Sequence, residues 1–223
     1  MAAPTRAPPG RLTTDAMSDP GSMRTRHAST VTDLPTILRA ALEGRTRHPL
    51  APAHGRPAAV LVPLFDRGDA FHVLFTRRSD ALSHHGGQVA FPGGLYGPED
   101  ASPLATAIRE AHEEIGLSPD DVEILGVLDD IHTIQTNFVI TPFVAVIPYP
   151  YTFRPNAAEV AEIFSVPLPA LRDPAIRRQE EWDFGTARVP VTTVRWAGHI
   201  IWGATERISR NLVEVLASVE CPT

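Results

Sequence analysis

The feature that most constrains this chain is a short segment, residues 93–117, in which glycines, acids and apolar residues recur at fixed intervals. Ser102 and Pro103 are typical of a helix start, because serine caps free N–H groups and proline is tolerated at the first helical position. Gly116 is typical of a helix end, because glycine readily adopts the left-handed conformation that closes the last turn. The pattern therefore predicts a helix over residues 104–115 with a loop on each side.

Two faces of this predicted helix differ in chemistry. Glu110, Glu113 and Glu114 cluster on one face, where they repel one another in an isolated helix. Arg109 can pair with Glu113, but one arginine does not neutralise three acids. Because hard divalent cations prefer carboxylate oxygens, this face is a candidate site for Mg²⁺ or Mn²⁺, with an ordinary solvated acidic face as the alternative. The apolar stripe that we expect to face the core consists of Leu104, Ile108, Ala111 and Ile115.

Together with the glycines before it, the segment closely resembles the signature of the Nudix hydrolases. The signature has a glutamate where this chain has Asp100, and Gly94 lies one residue further from Arg109 than is usual, so a role for Asp100 as ligand or structural anchor is left open. The resemblance implies an α+β fold, a Nudix-type α/β/α sandwich with a mixed β-sheet and a loop–helix–loop catalytic motif. The matching residues are Gly94, Asp100, Arg109, Glu110, Glu113, Glu114, Gly116 and Leu117.

The rest of the chain mixes strand-like and helix-like segments without regular βαβ alternation, which independently favours α+β layers. Apolar runs at residues 58–65 and 71–76 flank a turn-forming segment, residues 66–69, and predict a β-hairpin. Further strands are expected at residues 122–128, 138–147 and 189–196, and further helices after Asp33 and at residues 168–171 and 203–219.

The first thirty or so residues lack the apolar side chains that a core requires. We therefore predict that residues 1–31 form a disordered leader and that residues 32–223 form the Nudix domain. The chain has 20 Lys and Arg against 26 Asp and Glu, a net charge of −6, which argues against a nucleic-acid or anionic-membrane binder. No apolar run is long enough to span a bilayer, and the single cysteine, Cys221, excludes an internal disulfide. These features predict a cytoplasmic protein.

Residues 74–94 resemble a second motif, that of the coenzyme A diphosphatase subfamily of Nudix hydrolases. The similarity lies in the run at residues 74–79 and in the Phe-Pro-Gly-Gly run at residues 91–94, whereas Ser83 stands where the subfamily commonly has arginine. Residues 201–205 also resemble the start of the subfamily's last helix. The resemblance implies a small nucleotide diphosphate of the coenzyme A class as substrate.

Several side chains in this second motif suit a phosphorylated substrate. Arginine and histidine donate charge-assisted hydrogen bonds to phosphate, and glycine lets the backbone approach a ligand closely. Exposed strand-end and loop positions are the alternative for each of them. The predicted substrate-binding residues are Arg77, Arg78, His85, Gln88 and Gly93.

The two resemblances imply hydrolysis of the diphosphate linkage of coenzyme A or its derivatives, giving 3′-phospho-ADP and (acyl-)4′-phosphopantetheine. Glu110 and Glu114, with Glu113 assisting, are the predicted ligands of Mg²⁺ or Mn²⁺, which would lower the pKa of the attacking water. Arg109 is predicted to orient the glutamates. The general base is left open among Glu113, Glu114 and an acid from residues 159–162.

Two other functions are compatible with the sequence. One is a Nudix hydrolase that acts on ADP-ribose or on a dinucleotide such as NADH. The other is a non-catalytic Nudix-fold ligand sensor, since a fold alone does not imply activity. The intact Arg109 and three clustered glutamates speak against a sensor, because binding alone does not require them. A homodimer is left open as the assembly.

Overall fold

The computed structural model describes residues 33–51, 54–82, 85–185 and 188–220. The predicted leader, Ser83 and Cys221 lie outside the described residues. No helix in the described ranges is both long and apolar enough to cross a bilayer. The helices are α1 Leu34–Gly44, α2 Pro103–Ile115, α3 Leu168–Arg172 and α4 Gly203–Glu220. The strands are β1 Arg56–Asp66, β2 Phe71–Arg78, β3 Val89–Ala90, β4 Gly93–Leu95, β5 Glu123–Val127, β6 Ile131–Thr133, β7 Phe138–Val146, β8 Val160–Pro167, β9 Arg177–Asp183, β10 Arg188–Trp196 and β11 His199–Trp202.

Strand β1 lies at the centre of an eight-stranded mixed sheet. It runs parallel to β7, from Arg56 opposite Phe138 to Leu64 opposite Val146, and antiparallel to β2 and β4. Strands β5 and β6 pair with β7, and β3 and β8 pair with β2. A second, antiparallel sheet has the order β11-β10-β9. The mixed sheet predicted from the sequence is therefore confirmed.

The two faces of the central sheet bury separate apolar cores, because successive residues of a strand point to opposite faces. On β1, Leu61 lies in the core beneath α2, whereas Val62 lies in the core beneath α1 and α4. Helix α2 contributes Ala111 to the first core, and α1 and α4 contribute Leu38 and Leu212 to the second. Helices thus cover both faces of the sheet, which confirms the predicted α/β/α sandwich.

Helix α2 begins and ends where the sequence indicates. The Ser102 hydroxyl accepts a hydrogen bond from the Ala105 N–H at 3.2 Å. At the other end, Gly116 has a φ of 68°, in the left-handed region, and its N–H donates to the His112 carbonyl oxygen at 2.9 Å. The loops on either side of the helix are therefore set by local hydrogen bonds, as the capping residues predict.

The predicted apolar stripe of α2 is only partly correct. Ala111 and Ile115 are fully buried, but Leu104 and Ile108 are only half-buried. Ala107 is fully buried instead and packs in the same core as Ala59 of β1. Small side chains let a helix approach a sheet closely, so α2 turns Ala107 and Ala111, rather than Leu104 and Ile108, towards the strands. The same rotation turns Glu114 inward.

Candidate active site

Arg109 contacts four carboxylates at once, and the most distant of them is Glu99, 3.8 Å from its Nε atom. Its Nε and Nη2 atoms donate to Asp100 at 2.9 and 3.0 Å. Its Nη1 atom lies 2.9 Å from a Glu110 oxygen and 3.1 Å from a Glu113 oxygen. The forked guanidinium suits such a role because its donors lie in one fixed plane. The acidic face of α2 is therefore arranged around this one side chain.

Asp100 anchors Arg109 from the loop before the helix. Its side chain is 3% exposed, and besides Arg109 it accepts hydrogen bonds from the Gly97 N–H and the Thr106 hydroxyl, each at 2.9 Å. The Arg109 guanidinium beside it holds the pKa of Asp100 well below its usual range. Donors from three residues occupy the two carboxylate oxygens of Asp100. Of the two roles left open by the sequence, these contacts favour that of a structural anchor.

Glu110 lies against the backbone of β4. A side chain at Gly94 would overlap the Glu110 carboxylate, so this position requires glycine for the acid to occupy its place. Burial raises the pKa of Glu110, and Arg109 opposes that rise. The glycine that the sequence analysis placed in the Nudix signature thus serves to admit a carboxylate.

Glu114 is the most deeply buried acid of the helix. Its side chain is 4% exposed and accepts a hydrogen bond from the Gly93 N–H at 3.2 Å. Arg78 Nη1 lies 3.7 Å from its other oxygen. Burial raises the pKa of Glu114 to about 8, while the Arg78 charge and the Gly93 N–H oppose that rise. Gly93, predicted to bind substrate, thus uses its N–H to bind Glu114.

The three predicted metal ligands, Glu110, Glu113 and Glu114, are not arranged to hold one metal ion together. Glu113 is about half exposed and hydrogen-bonded to Arg109. Across the described part of the chain, no three acidic, histidine or cysteine side chains are arranged to hold a metal ion. The chemistry of Glu110 and Glu114 nevertheless fits Mg²⁺ or Mn²⁺, because Glu110 is a partly buried and Glu114 a buried oxygen donor, and a bound cation would offset the cost of burying their charge.

Arg77 and Arg78, predicted together as phosphate ligands, lie on opposite faces of the sheet. Arg78 points to Glu114 on the α2 face. Arg77 is paired across strands with Glu162 and donates to both Asp80 oxygens at 3.0 and 3.1 Å. Strand β2 extends through both residues, so their side chains alternate. The structure therefore brings only Arg78 to the acids.

His85 and Gln88 lie together in the turn that precedes β3. His85 has a φ of 59°, and its Nδ1 atom lies 3.0 Å from the Gln88 side-chain oxygen. The Gln88 carbonyl oxygen accepts the Arg78 N–H at 2.9 Å. A backbone hydrogen bond therefore connects this turn to β2, the strand that carries Arg78. The side chains of His85 and Gln88 contact each other rather than the acids of α2.

A further acid, Glu159, belongs to the acidic cluster. It lies in the turn before β8, and its charge raises the pKa of both Glu110 and Glu114. Asn156 Nδ2 donates to it at 2.9 Å, and its backbone carbonyl accepts the Ser79 N–H at 2.8 Å. The sequence alone does not distinguish Glu159 from Glu162 as a candidate base. The structure separates them, since Glu162 pairs with Arg77 on the other face.

Comparison with known proteins places this geometry in a family. A family model for the NUDIX domain matches residues 55–185. The chain is 39% identical over 165 residues to the "Uncharacterized Nudix hydrolase NudL" of Yersinia enterocolitica, covering 73% of this chain and 82% of that protein. It is 41% identical over 123 residues to the mouse "Peroxisomal coenzyme A diphosphatase NUDT7", covering 55% of this chain and 52% of that protein.

Proposed function

The chain belongs to the Nudix hydrolases, diphosphatases that act on phosphorus-containing anhydrides, and on that premise we propose that its substrate is coenzyme A or a derivative. Hydrolysis of the diphosphate linkage would give 3′-phospho-ADP and (acyl-)4′-phosphopantetheine. The observation that carries the proposal is the approach of Arg78 to Glu114, because it joins the coenzyme A-type motif to the acids of the Nudix helix. The similarity to the mouse coenzyme A diphosphatase supports the same substrate class, although it spans only about half of each chain.

Glu110 and Glu114 are the side chains that would hold the metal ions. When bound, Mg²⁺ or Mn²⁺ supplies positive charge to the diphosphate oxygens and lowers the pKa of the attacking water. Arg109, itself held by Asp100, keeps Glu110 and Glu113 in place. In this arrangement Arg109 orients the acids and has no free face for the substrate.

Arg78 is the side chain best placed to bind the diphosphate. Its Nε atom is buried and has no hydrogen-bond partner among the described residues. That atom is closed to solvent, but the side chain as a whole is 28% exposed, so its other N–H groups can donate charge-assisted hydrogen bonds to phosphate oxygens. His85 and Gln88 would bind other polar groups of the substrate from the neighbouring turn.

Glu159 is the acid that we assign as general base. Glu113 is engaged by Arg109, Glu114 by the Gly93 N–H, and Glu162 faces away from the site. Glu159 lies within the electrostatic reach of both predicted metal ligands and is held by a neutral amide from Asn156. A carboxylate in that position is free to accept a proton from water.

The test is a substrate panel. Coenzyme A, ADP-ribose and NADH are incubated with the full chain and Mg²⁺ or Mn²⁺, and the products are resolved by chromatography. We expect the highest kcat/KM for coenzyme A, with 3′-phospho-ADP as a product, no turnover with chelator, and a strongly lowered kcat with Glu110→Gln. A higher kcat/KM for ADP-ribose or NADH would overturn the substrate assignment. Binding of coenzyme A without hydrolysis of any of the three would identify a sensor.

A further inference from the structure

The guanidinium of Arg77 lies between two carboxylates, those of Asp80 and Glu162. Towards the end of β2 it donates to both oxygens of Asp80, at 3.0 and 3.1 Å. Across the sheet, its Nε atom lies 3.7 Å from Glu162 of β8. The side chain is only 30% exposed, and two carboxylates already surround its guanidinium. These carboxylates compete with a phosphate for the guanidinium.

Asp80 is part of the β2–β3 connection, by which we mean residues 79–82 and 85–88, and its largely exposed side chain lies beside Gly87 in the second of these segments. An added Cβ at Gly87 would lie 2.8 Å from the Asp80 Oδ1 atom, and Gly87 has a φ of 74°. The Gly87 N–H also donates to the Arg78 carbonyl oxygen at 3.1 Å. The carboxylate that binds Arg77 therefore lies against the same turn that carries His85 and Gln88.

Glu162 connects Arg77 to the second sheet. Its other oxygen lies 3.4 Å from Nε2 of His199 in β11. The His199 ring stacks on Phe164 of β8, with centroids 3.8 Å apart and planes 7° from parallel. The Arg77 guanidinium thus contacts Glu162, which lies in the packed region around Phe164 and His199, and Asp80, which lies in the β2–β3 connection.

We infer that Arg77 is a positioning residue: with Asp80 and Glu162 it holds the β2–β3 connection from the sheet face opposite the acids, and it does not touch the substrate. The inference rests on the proposed function in one respect, namely that His85 and Gln88 bind substrate. It differs from the sequence-based expectation that Arg77 binds phosphate, and the experiments below distinguish the two roles.

The kinetic test is a double-mutant cycle in the full chain with coenzyme A. We expect Arg77→Ala and Asp80→Asn each to raise KM about three- to tenfold with kcat within about twofold, since the Arg–Asp pair is partly exposed. The double variant should be no worse than either single variant, because both remove the same contact. Arg77→Lys should remain impaired, because Nη1 faces Asp80 while Nε faces Glu162, and the single ammonium of lysine cannot face both carboxylates.

A direct phosphate contact gives the opposite pattern. Arg77→Ala would then be far more damaging than Asp80→Asn, Arg77→Lys would retain most of the affinity, and the inference would be overturned. The matched control is Arg188→Ala, which removes an exposed arginine 3.7 Å from Asp183 on the second sheet. We expect that variant to leave KM and kcat at the wild-type values.

Hydrogen exchange measured without substrate separates this inference from the proposed function. Amides of residues 79–82 and 85–88 should exchange faster in Arg77→Ala and in Asp80→Asn than in the wild type or in Arg188→Ala. Faster exchange in a protein that fails to hydrolyse coenzyme A would retain the positioning role and remove the proposed substrate. Unchanged exchange in both variants would overturn the positioning role itself.

Discussion

The two faces of the central sheet are covered by helices that differ in the size of the side chains they bury. Helix α2 buries two alanines, Ala107 and Ala111, and one larger residue, Ile115, in a core that also contains Ala59 of β1. Helices α1 and α4 bury larger residues such as Leu38 and Leu212. Small side chains let α2 approach the strands, which brings its acids to the backbone of β4; large side chains on the other face bury more apolar area. One face thus serves the chemistry, and the other contributes more to stability.

The largest expected effect is the loss of turnover when an acid of the α2 face is neutralised. Glu110→Gln and Glu114→Gln should each lower kcat by about 10²- to 10³-fold, because each removes a carboxylate that would hold the metal. Thermal unfolding should be unchanged or slightly improved in Glu114→Gln, since the buried charge is disfavoured in the folded state. Near-wild-type kcat in either variant would show that the metal is held elsewhere.

The opposite face should give the reverse result. Leu212 is fully buried in the core beneath α4, so Leu212→Ala should lower the free energy of unfolding by about 3 kcal/mol through the cavity it leaves. Urea unfolding measures this change. The kcat, measured well below the melting temperature, should stay within about twofold of wild type. A large fall in kcat would mean that the two faces are mechanically coupled.

A glycine on the α2 face should affect activity more than stability. In Gly94→Ala the new methyl group would overlap the Glu110 carboxylate, and a flexible side-chain end can move aside at little cost in stability. We expect kcat to fall about tenfold, because the carboxylate leaves its place, and the melting temperature to change little. Gly44→Ala is the matched control, since a Cβ there meets nothing within 4 Å. Equal kcat values for the two variants would contradict the requirement for glycine at residue 94.

The smallest expected effect is a pH dependence of stability from His72. Its ring is buried, its Nδ1 atom lies 3.1 Å from the Ser165 hydroxyl, and burial, together with the Arg67 charge, lowers its pKa. The unfolded chain therefore binds a proton more readily, so stability is fully present above the unfolded pKa of about 6.5 and is lost as pH falls below it. The urea concentration at the unfolding midpoint should decrease as the pH is lowered from 7.5 to 5.5. It should decrease less in His72→Gln. An equal fall in that variant would assign the dependence to other groups.

Local signals in the sequence are enough to predict the ends of α2 and the identity of its acids. The ends of α2 follow from Ser102, Pro103 and Gly116, since caps act through neighbouring backbone groups. The family motif likewise singled out the acids. Long-range packing determines the rest: the burial of Glu114 depends on how α2 rotates against β1, and no pattern within the helix shows that rotation.

The separation of Arg77 from Arg78 illustrates the same limit. The sequence predicts a strand ending at Thr76, whereas β2 continues to Arg78 because its last residues pair with β3 and β8. Strands β8 and β9 were not predicted, since charged residues such as Glu162 and Glu180 interrupt the apolar alternation that marks a strand. Their hydrogen-bond partners, β2 and β10, provide the stabilisation that the local sequence lacks.

The parallel pairing of β1 with β7 has a consequence for how this chain folds. The paired residues lie about 80 positions apart in sequence, and all of α2 lies between them. Closing so long a loop lowers the entropy of the chain before any stabilising contact has formed. The pairing of β1 with β7 should therefore form late and slowly. During synthesis, the acids of α2 emerge before the strand that completes the sheet beside β1. The nascent chain therefore carries this acidic segment for a time before the strand that completes the fold around it has been made.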